Sequence, residues 1–466
     1  MVECKGMELQ SWWTVEVEEM SCFDVDTESG LHVGHSGSSS NSSLTPSQES
    51  PSPSLEHVST SHLPSSSSLP HPSSSSFLST PTSLSTPYPA PLLDGDSDIE
   101  AEVDLPKLEK FLSEEEIQKL SSRERKRQDT INELFHTERT HVRVLKVLKH
   151  LFQDPMAQAE ILPRDVIDLL FPNLDEMLDI HTQFNQAMKK RRKEEVPVSR
   201  VGDLLIDMFD GEAGERFQQQ AAEYMRTQFL ALEGLKTRQK RDNRLANFLQ
   251  EQENNLACRR LQLKDMLPAG FQRLSKYPLL LESLLSYTDP NTRQEECERI
   301  SRALERAREI LAFVNTAVRE AENTERLREI QRKLDQSSLA KRKDGGTEDL
   351  KGNLDLTKHR LIYAGNLTWR LAKGQKNIDL LALLLEDAIV LLQRQDDKYI
   401  LKNHSIIKNL TKDDNKLTHS PIIKYGPSML FREVATDNCA FFIVTTQAVG
   451  AQIYELVASS PAERKV

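Results

Sequence analysis

The chain has 466 residues, a formal net charge of −11 and 28% charged residues, a length that suggests two to four domains. An acidic whole argues against nucleic acid as the main partner, because neutralising phosphates needs a basic surface. The cysteines (Cys4, Cys22, Cys258, Cys297, Cys439) are scattered without metal-ligand spacing, which points to reduced cytosolic thiols, and no apolar run is long enough to span a membrane.

Met1–Met20 mixes Glu and Lys with Trp12 and Trp13 and has no signal-peptide core. Residues 31–98 are rich in Ser, Pro and Thr and nearly free of large apolar groups, so they cannot offset their ordering entropy. Residues 1–98 are therefore expected to be disordered. Thr45-Pro46, Ser50-Pro51, Ser52-Pro53, Thr80-Pro81 and Thr86-Pro87 have the form of proline-directed phosphorylation sites, a pattern that composition alone also produces. An acidic step from Asp94 to Asp104 leads into residues 99–122, a short helical lead-in. There Ser113-Glu-Glu-Glu116 reads as a capping box.

The first strong helix is predicted over Ser122–Phe152. Ile131, Glu138, Leu145 and Phe152 recur every seven residues, so Glu138 occupies a place the pattern reserves for an apolar side chain. A carboxylate there must find a partner within the bundle or lie at an interface. A second helical unit covers Pro163–Lys193 and closes on the basic run Lys189–Lys193, which suits a helix C-terminus or a solvated face. Further amphipathic helices are expected over Val198–Phe209, Phe217–Met225 and Phe229–Glu253, with Asp210–Gly214 as a turn. Lys236–Arg244 is rich in Lys and Arg and could line one edge of a docking surface.

Cys258–Leu285 is helical in period, with Leu263, Leu267, Leu274, Leu281 and Leu284 on one stripe. Pro278 is expected to kink or restart this helix beside Lys276 and Tyr277. A long helix then runs from after Asp289-Pro290 to about Leu334. Asn315, Arg319, Glu322 and Arg326 share one polar line on it, which an ordinary solvated face would also give. After a charged linker, Lys341–Gly352, strands are expected at Asn366–Leu371, Ile378–Leu385, Ala388–Gln393, Tyr399–Leu401, Ile422–Tyr425, Met429–Val434, Ala440–Thr445 and Gln452–Leu456. The fold class is thus mainly α: an elongated helical bundle, then a small antiparallel β domain.

Three strings carry a family resemblance. Ile131–Leu145, Phe171–Ile180 and Gln272–Leu281 resemble the conserved blocks of the Dbl-homology domain, the exchange module of Rho guanine nucleotide exchange factors. Leu381–Leu392 resembles the early strands of a pleckstrin-homology (PH) domain. Cys258–Met266, Phe313–Asn323 and Ala451–Val457 look like the RGS-containing members of that family. The resemblance implies a Dbl-homology domain over 123–326, a helical extension and linker over 327–354, and a PH domain over 355–466. In that PH domain the closing helix is mostly missing after Pro461. The N-terminal RGS-like domain of the subfamily also has no room, so the chain looks like a fragment or variant product.

The implied function is release of GDP from a RhoA-like GTPase by stabilising its nucleotide-free form. A factor that binds the empty GTPase more tightly weakens nucleotide binding by linkage. The resemblance assigns GTPase contacts to Glu138 (switch 1), Lys276, Asn315 (switch 2) and Arg326, and an activated-Rho patch to Phe442 and Val444. It also implies weak contact with membrane phosphoinositides, G-alpha subunits of the 12/13 class in a full-length form, and a cytoplasmic protein recruited to the plasma membrane. No P-loop, dinucleotide-binding, His-Glu-x-x-His or Cys-x-x-Cys pattern occurs, so no covalent chemistry, catalytic residue, metal or cofactor is expected. The rival readings are a catalytically silent helical scaffold and a PH-led phosphoinositide-binding adaptor. In the PH strands, Arg370, Lys373 and Lys376 offer only modest charge for the latter.

Overall fold

The structure is a computed structural model and describes residues 96–100, 104–337, 354–371, 376–405, 418–447 and 450–465. The expected disorder lies outside the described residues except at Asp96–Asp98, which are docked. Asp98 is buried and holds Lys146 and Lys189, while Asp96 pairs with Lys146 at 2.7 Å. The ordered lead-in therefore starts earlier than composition suggested, because its acids meet lysines on the bundle.

Helix α1 (Glu114–Lys119) opens on the expected capping box, with Ser113 and Glu116 satisfying each other's backbone N–H groups. Helix α2 (Ser122–Val147) starts on Ser121, whose hydroxyl accepts from Glu124 N at 3.1 Å, and passes into a π-helical turn at Leu148–Gln153. After α3 (Asp154–Gln158), the second helical unit resolves into α4 (Arg164–Leu170) and α5 (Leu174–Glu194). The basic run ending α5 is not simply solvated. Arg191 pairs with Asp203, and the Arg192 guanidinium lies 4.3 Å from the Phe111 ring centroid and 4.9 Å from that of Phe135.

Helices α6 (Gly202–Phe209) and α7 (Gly211–Arg226) meet at a corner one residue long. The expected turn at Asp210–Gly214 is compressed to Asp210, and the rest forms the first turn of α7. Two glycines permit this. Gly211 has φ +59°, and a Cβ at Gly214 would sit 2.0 Å from the Phe209 carbonyl oxygen. The helix expected over Phe229–Glu253 is two helices, α8 (Gln228–Gln239) and α9 (Asn243–Glu253). Asp242 divides them by accepting from Arg244 N and Leu245 N, an N-cap that restarts the chain.

After the short α10 (Leu263–Met266), helix α11 (Ala269–Tyr287) carries Pro278 inside one continuous helix, so of the expected kink or restart the restart does not occur. Leu274, Tyr277, Pro278, Leu280, Leu281 and Leu284 are all buried, so packing on both sides of the proline holds the helix against the loss of one backbone bond. The long α12 (Gln294–Arg332) follows as expected.

Among the described residues the β domain is a nine-stranded sheet in the order β1 (Leu334–Asp335), β5 (Lys398–Ile400), β4, β3, β2, β11, β10, β9, with β8 (Ile422–Lys424) also paired to β4, and a separate two-stranded ribbon of β6 (His404–Ser405) and β7 (Thr418–His419). Its main strands are β2 (Leu361–Arg370), β3 (Ile378–Leu385), β4 (Ala388–Gln395), β9 (Leu430–Glu433), β10 (Ala440–Gln447) and β11 (Gly450–Ala458). The near-continuous apolar run of β3 and β4 has a physical cause: both faces are covered. Leu380, Ala382, Ile389 and Leu391 join Trp369, Ile443 and Tyr454 in one core. Leu383, Leu385, Val390 and Leu392 pack in another with Leu327 and Ile330 of α12. The end of α12 is therefore part of the β domain's core, not a free connector.

Candidate functional site

Helix α11 lies between α2 and α12 and runs antiparallel to both. At one end Arg123 donates to the Ser286 and Thr288 carbonyls at 3.0 and 2.8 Å. Towards the other, Arg273 reaches Thr137 and Glu138 of α2. Arg308 of α12 pairs with Glu282 of α11 at 3.0 Å. Equal steps along both helices from that pair bring Lys276 level with Val314 and Asn315. The outward side of the three helices carries exposed Asp129 and Glu133 (α2), Gln272, Lys276 and Leu279 (α11), and Phe313, Asn315 and Arg319 (α12). Leu279 and Phe313 are 49% and 40% exposed, apolar points in a polar surface.

Glu138 is a correction to the sequence reading. Its side chain is fully buried, so it cannot touch a docked partner. One oxygen accepts from Arg273 Nε at 2.8 Å and Tyr277 Oη at 2.6 Å, and the other meets His181 Nδ1 at 2.8 Å. The Arg273 guanidinium also stacks 4.2 Å from the Tyr277 ring centroid. Burial alone would raise the carboxyl pKa, yet the charges of Arg273 and then His181 pull it well below the usual carboxylate range. Of the two outcomes the heptad position left open, the internal partner is the one realised. Glu133, exposed on the same helix, was missed: its position off the apolar stripe was the available signal.

The network includes a second histidine. His141 is buried edge-on to His181, with ring centroids 4.4 Å apart, and its Nε2 has no hydrogen-bond partner among the described residues. Burial, then the neighbouring His181, holds its pKa well below 6.5, so the folded protein keeps it neutral. A base whose pKa is depressed by folding binds its proton more readily in the unfolded chain. Stability is therefore fully present above about pH 6.5 and declines as pH falls below it. Melting temperature should drop between pH 7 and pH 5, and His141→Leu should flatten that slope. An unchanged slope would count against this role.

Lys276 and Asn315 are exposed and level with each other on neighbouring helices. Arg326 is exposed further along α12, at the junction with the β domain, where its charge reaches Tyr363. Phe442 and Val444 are half-buried and point to one side of the sheet. In register, Val444 stands between Leu430 and Ile453, and Phe442 between Arg432 and Glu455. Leu430 and Ile453 are 53% and 55% exposed, so the apolar patch centres on Val444 and includes two residues that the sequence reading left out. The family resemblance named Phe442 and Val444; the flanking pair needed the sheet register. Among the described residues no group of three or more His, Cys, Asp or Glu side chains is arranged to hold a metal.

Comparison with known proteins follows the same division. The RhoGEF domain family matches residues 130–315, and a PH domain family matches residues 349–466. Rho guanine nucleotide exchange factor 12 of Homo sapiens is 44% identical over 367 residues, covering 78% of this chain and 23% of that protein. Rho guanine nucleotide exchange factor 1 of Homo sapiens is 44% identical over 342 residues, covering 73% of this chain and 37% of that protein. The chain thus spans about a quarter of the length of the first relatives it matches. A crystal structure of PDZ-RhoGEF DH/PH domains in complex with GTP-gamma-S activated RhoA superposes with a TM-score of 0.71 at 42% identity, covering 77% of this chain and 96% of that one. The DH/PH domains of p115-RhoGEF give 0.67 at 42% identity, covering 78% and 97%. With its helical bundle, its PH sheet and this likeness to exchange factors, the chain belongs to the Rho guanine nucleotide exchange factor family, as a Dbl-homology and PH tandem like that of the RGS-containing members.

Proposed function

We propose that this chain promotes GDP release from a RhoA-like GTPase by binding its nucleotide-free form, using the outward face of α2, α11 and α12. The observation that carries this reading is the set of exposed, chemically distinct groups on three helices, of which α2 and α11 are tied from beneath by the Glu138 network and α11 and α12 by the Glu282–Arg308 pair. An exchange factor must stabilise the empty GTPase more than the loaded one, and rigidly presented groups do that without ordering cost. Glu133 supplies the acidic contact formerly given to Glu138. Lys276 and Asn315 supply the amine and amide, and Arg326 a guanidinium where a docked GTPase would approach the PH domain. The solved PDZ-RhoGEF complexes with RhoA support the same partner class. No bond is made or broken in this reading, and it implies a cytoplasmic protein acting near the plasma membrane. Fluorescent GDP release from RhoA and other Rho-family GTPases tests it.

A second contact is carried by the patch on β9, β10 and β11. Phe442, Val444, Leu430 and Ile453 form a surface suited to the exposed apolar switch of a GTP-loaded Rho protein. Phe442→Ala should weaken that binding about tenfold, a hot-spot aromatic loss of roughly 1.4 kcal/mol. Unchanged affinity in a folded variant would remove the patch from the account.

A further inference from the structure

The polar line of α12 does not end with the helical bundle. Asn315, Glu322 and Arg326 follow one another along it, and Arg326 is exposed where the helix meets β2. The start of β2 is tied to the helix at this level. Asn323 Nδ2 donates to the Leu361 carbonyl at 3.1 Å, and Arg360 pairs with Glu320 at 2.6 Å. The segment leading into β2 is held as firmly. Gln336 exchanges two hydrogen bonds with the Leu354 backbone, both of 2.8 Å, and Gln331 accepts from Leu356 N at 2.9 Å. These side-chain amides bond as a neighbouring strand would, and they fix where β2 starts along α12.

Just beyond, β2 shifts register against β3 between Leu361 and Tyr363. A bulge of this kind re-aims a side chain. The Tyr363 ring lies back over Gly365, where a Cβ would come within 2.8 Å of the ring carbon Cε1 and 3.3 Å of the hydroxyl oxygen. Only glycine permits that approach. Seated there, Tyr363 is half-buried, and its hydroxyl has no hydrogen-bond partner among the described residues. Burial holds the hydroxyl above its ordinary pKa, with Glu463 adding to the shift and Arg326 opposing it, so it stays a donor. Helix and strand thus bring a phenol and a guanidinium to one place, both of them donors.

We propose that Tyr363 is a further contact for the GTPase, supplied by the PH domain, and that with Arg326 it holds a carboxylate on the GTPase surface. This contact presupposes the exchange function proposed above and extends the face of α2, α11 and α12 onto β2. Two donors brought together select an acceptor, and the charge of Arg326 selects an anionic one. Gly365 is a positioning residue: it acts on the partner only by seating the ring.

Binding of the full chain to nucleotide-free RhoA, measured beside fluorescent GDP release, tests it. Tyr363→Phe removes only the hydroxyl and should raise Kd about tenfold, with release at subsaturating chain falling by the same factor and melting temperature unchanged. Arg326→Ala combined with Tyr363→Phe should cost less than the two single losses multiplied, because the pair shares one acceptor. Gly365→Ala should weaken binding in the parent and have no further effect in a Tyr363→Ala background. If Gly365→Ala melts early, Tyr363→Phe decides alone. A merely structural tyrosine would lower the fraction of chain able to bind and leave Kd as it was, which would overturn the proposal. So would fully independent losses at Arg326 and Tyr363, or a folded Tyr363→Phe with the parental Kd in a chain that does accelerate release. A parent chain that leaves RhoA at its intrinsic rate would instead defeat the exchange function itself, and this contact with it.

Discussion

Glu138→Ala is expected to destabilise the protein by about 3–5 kcal/mol, because it leaves Arg273 charged and buried without its carboxylate. For a domain of this size that is a fall in melting temperature on the order of 10 °C. The loss follows from geometry. Glu138, Arg273, Tyr277 and His181 sit together out of water, and each meets the others' hydrogen-bonding needs. Replacing both charges, Glu138→Met with Arg273→Met, should recover much of the stability, since removing a buried pair whole costs far less than halving it. A double variant as unstable as the single one would contradict this. The pair should also resist mild acid: the Glu138 pKa is depressed on folding, so its contribution is present above the unfolded value and is lost only as pH falls through the depressed one. Exchange should fall in Glu138→Ala only as far as the folded fraction falls.

Surface variants should behave in the opposite way. Glu133→Ala, Lys276→Ala and Asn315→Ala remove groups from the outward face without opening the core, so melting temperature should move little. GDP release from RhoA should drop roughly tenfold to a hundredfold for the charged positions, since hydrogen bonds to charged groups contribute about 1.5–3 kcal/mol. Asn315→Ala should cost somewhat less. Glu133→Ala is the sharpest of these, because it separates an exposed carboxylate from the buried one on the same helix. Full exchange by Glu133→Ala would remove the acidic contact from this face.

Much of this was legible in the sequence because local chemistry and global fold agree. Ser113 and Glu116 specify a helix start and make one. The apolar run of β3 and β4 reads as buried strands, and it is covered on both faces. The errors arose where tertiary packing overrode a local rule. Pro278 does not restart the helix, because buried leucines on either side hold it together. Phe229–Glu253 carried a helical period throughout, yet the cap at Asp242 divided it. The site was misread at one residue for a similar reason. Heptad position left Glu138 either paired inside the bundle or at an interface and the resemblance assigned it to the interface, whereas its partners Arg273 and His181 lie far away in sequence, where no local spacing reveals them. The apolar companions Leu430 and Ile453 likewise depend on how the strands are placed against one another.

The central claim is that the folded chain empties a Rho-type GTPase. The most direct measurement is the rate of fluorescent GDP release from RhoA with and without the full chain, in solution and without vesicles. The account predicts release accelerated in proportion to the concentration of the chain, and sharply reduced when Lys276→Ala and Asn315→Ala are combined in a variant with parental melting. Release at the intrinsic rate of RhoA and of other Rho-family GTPases, in the presence of folded chain, would contradict it.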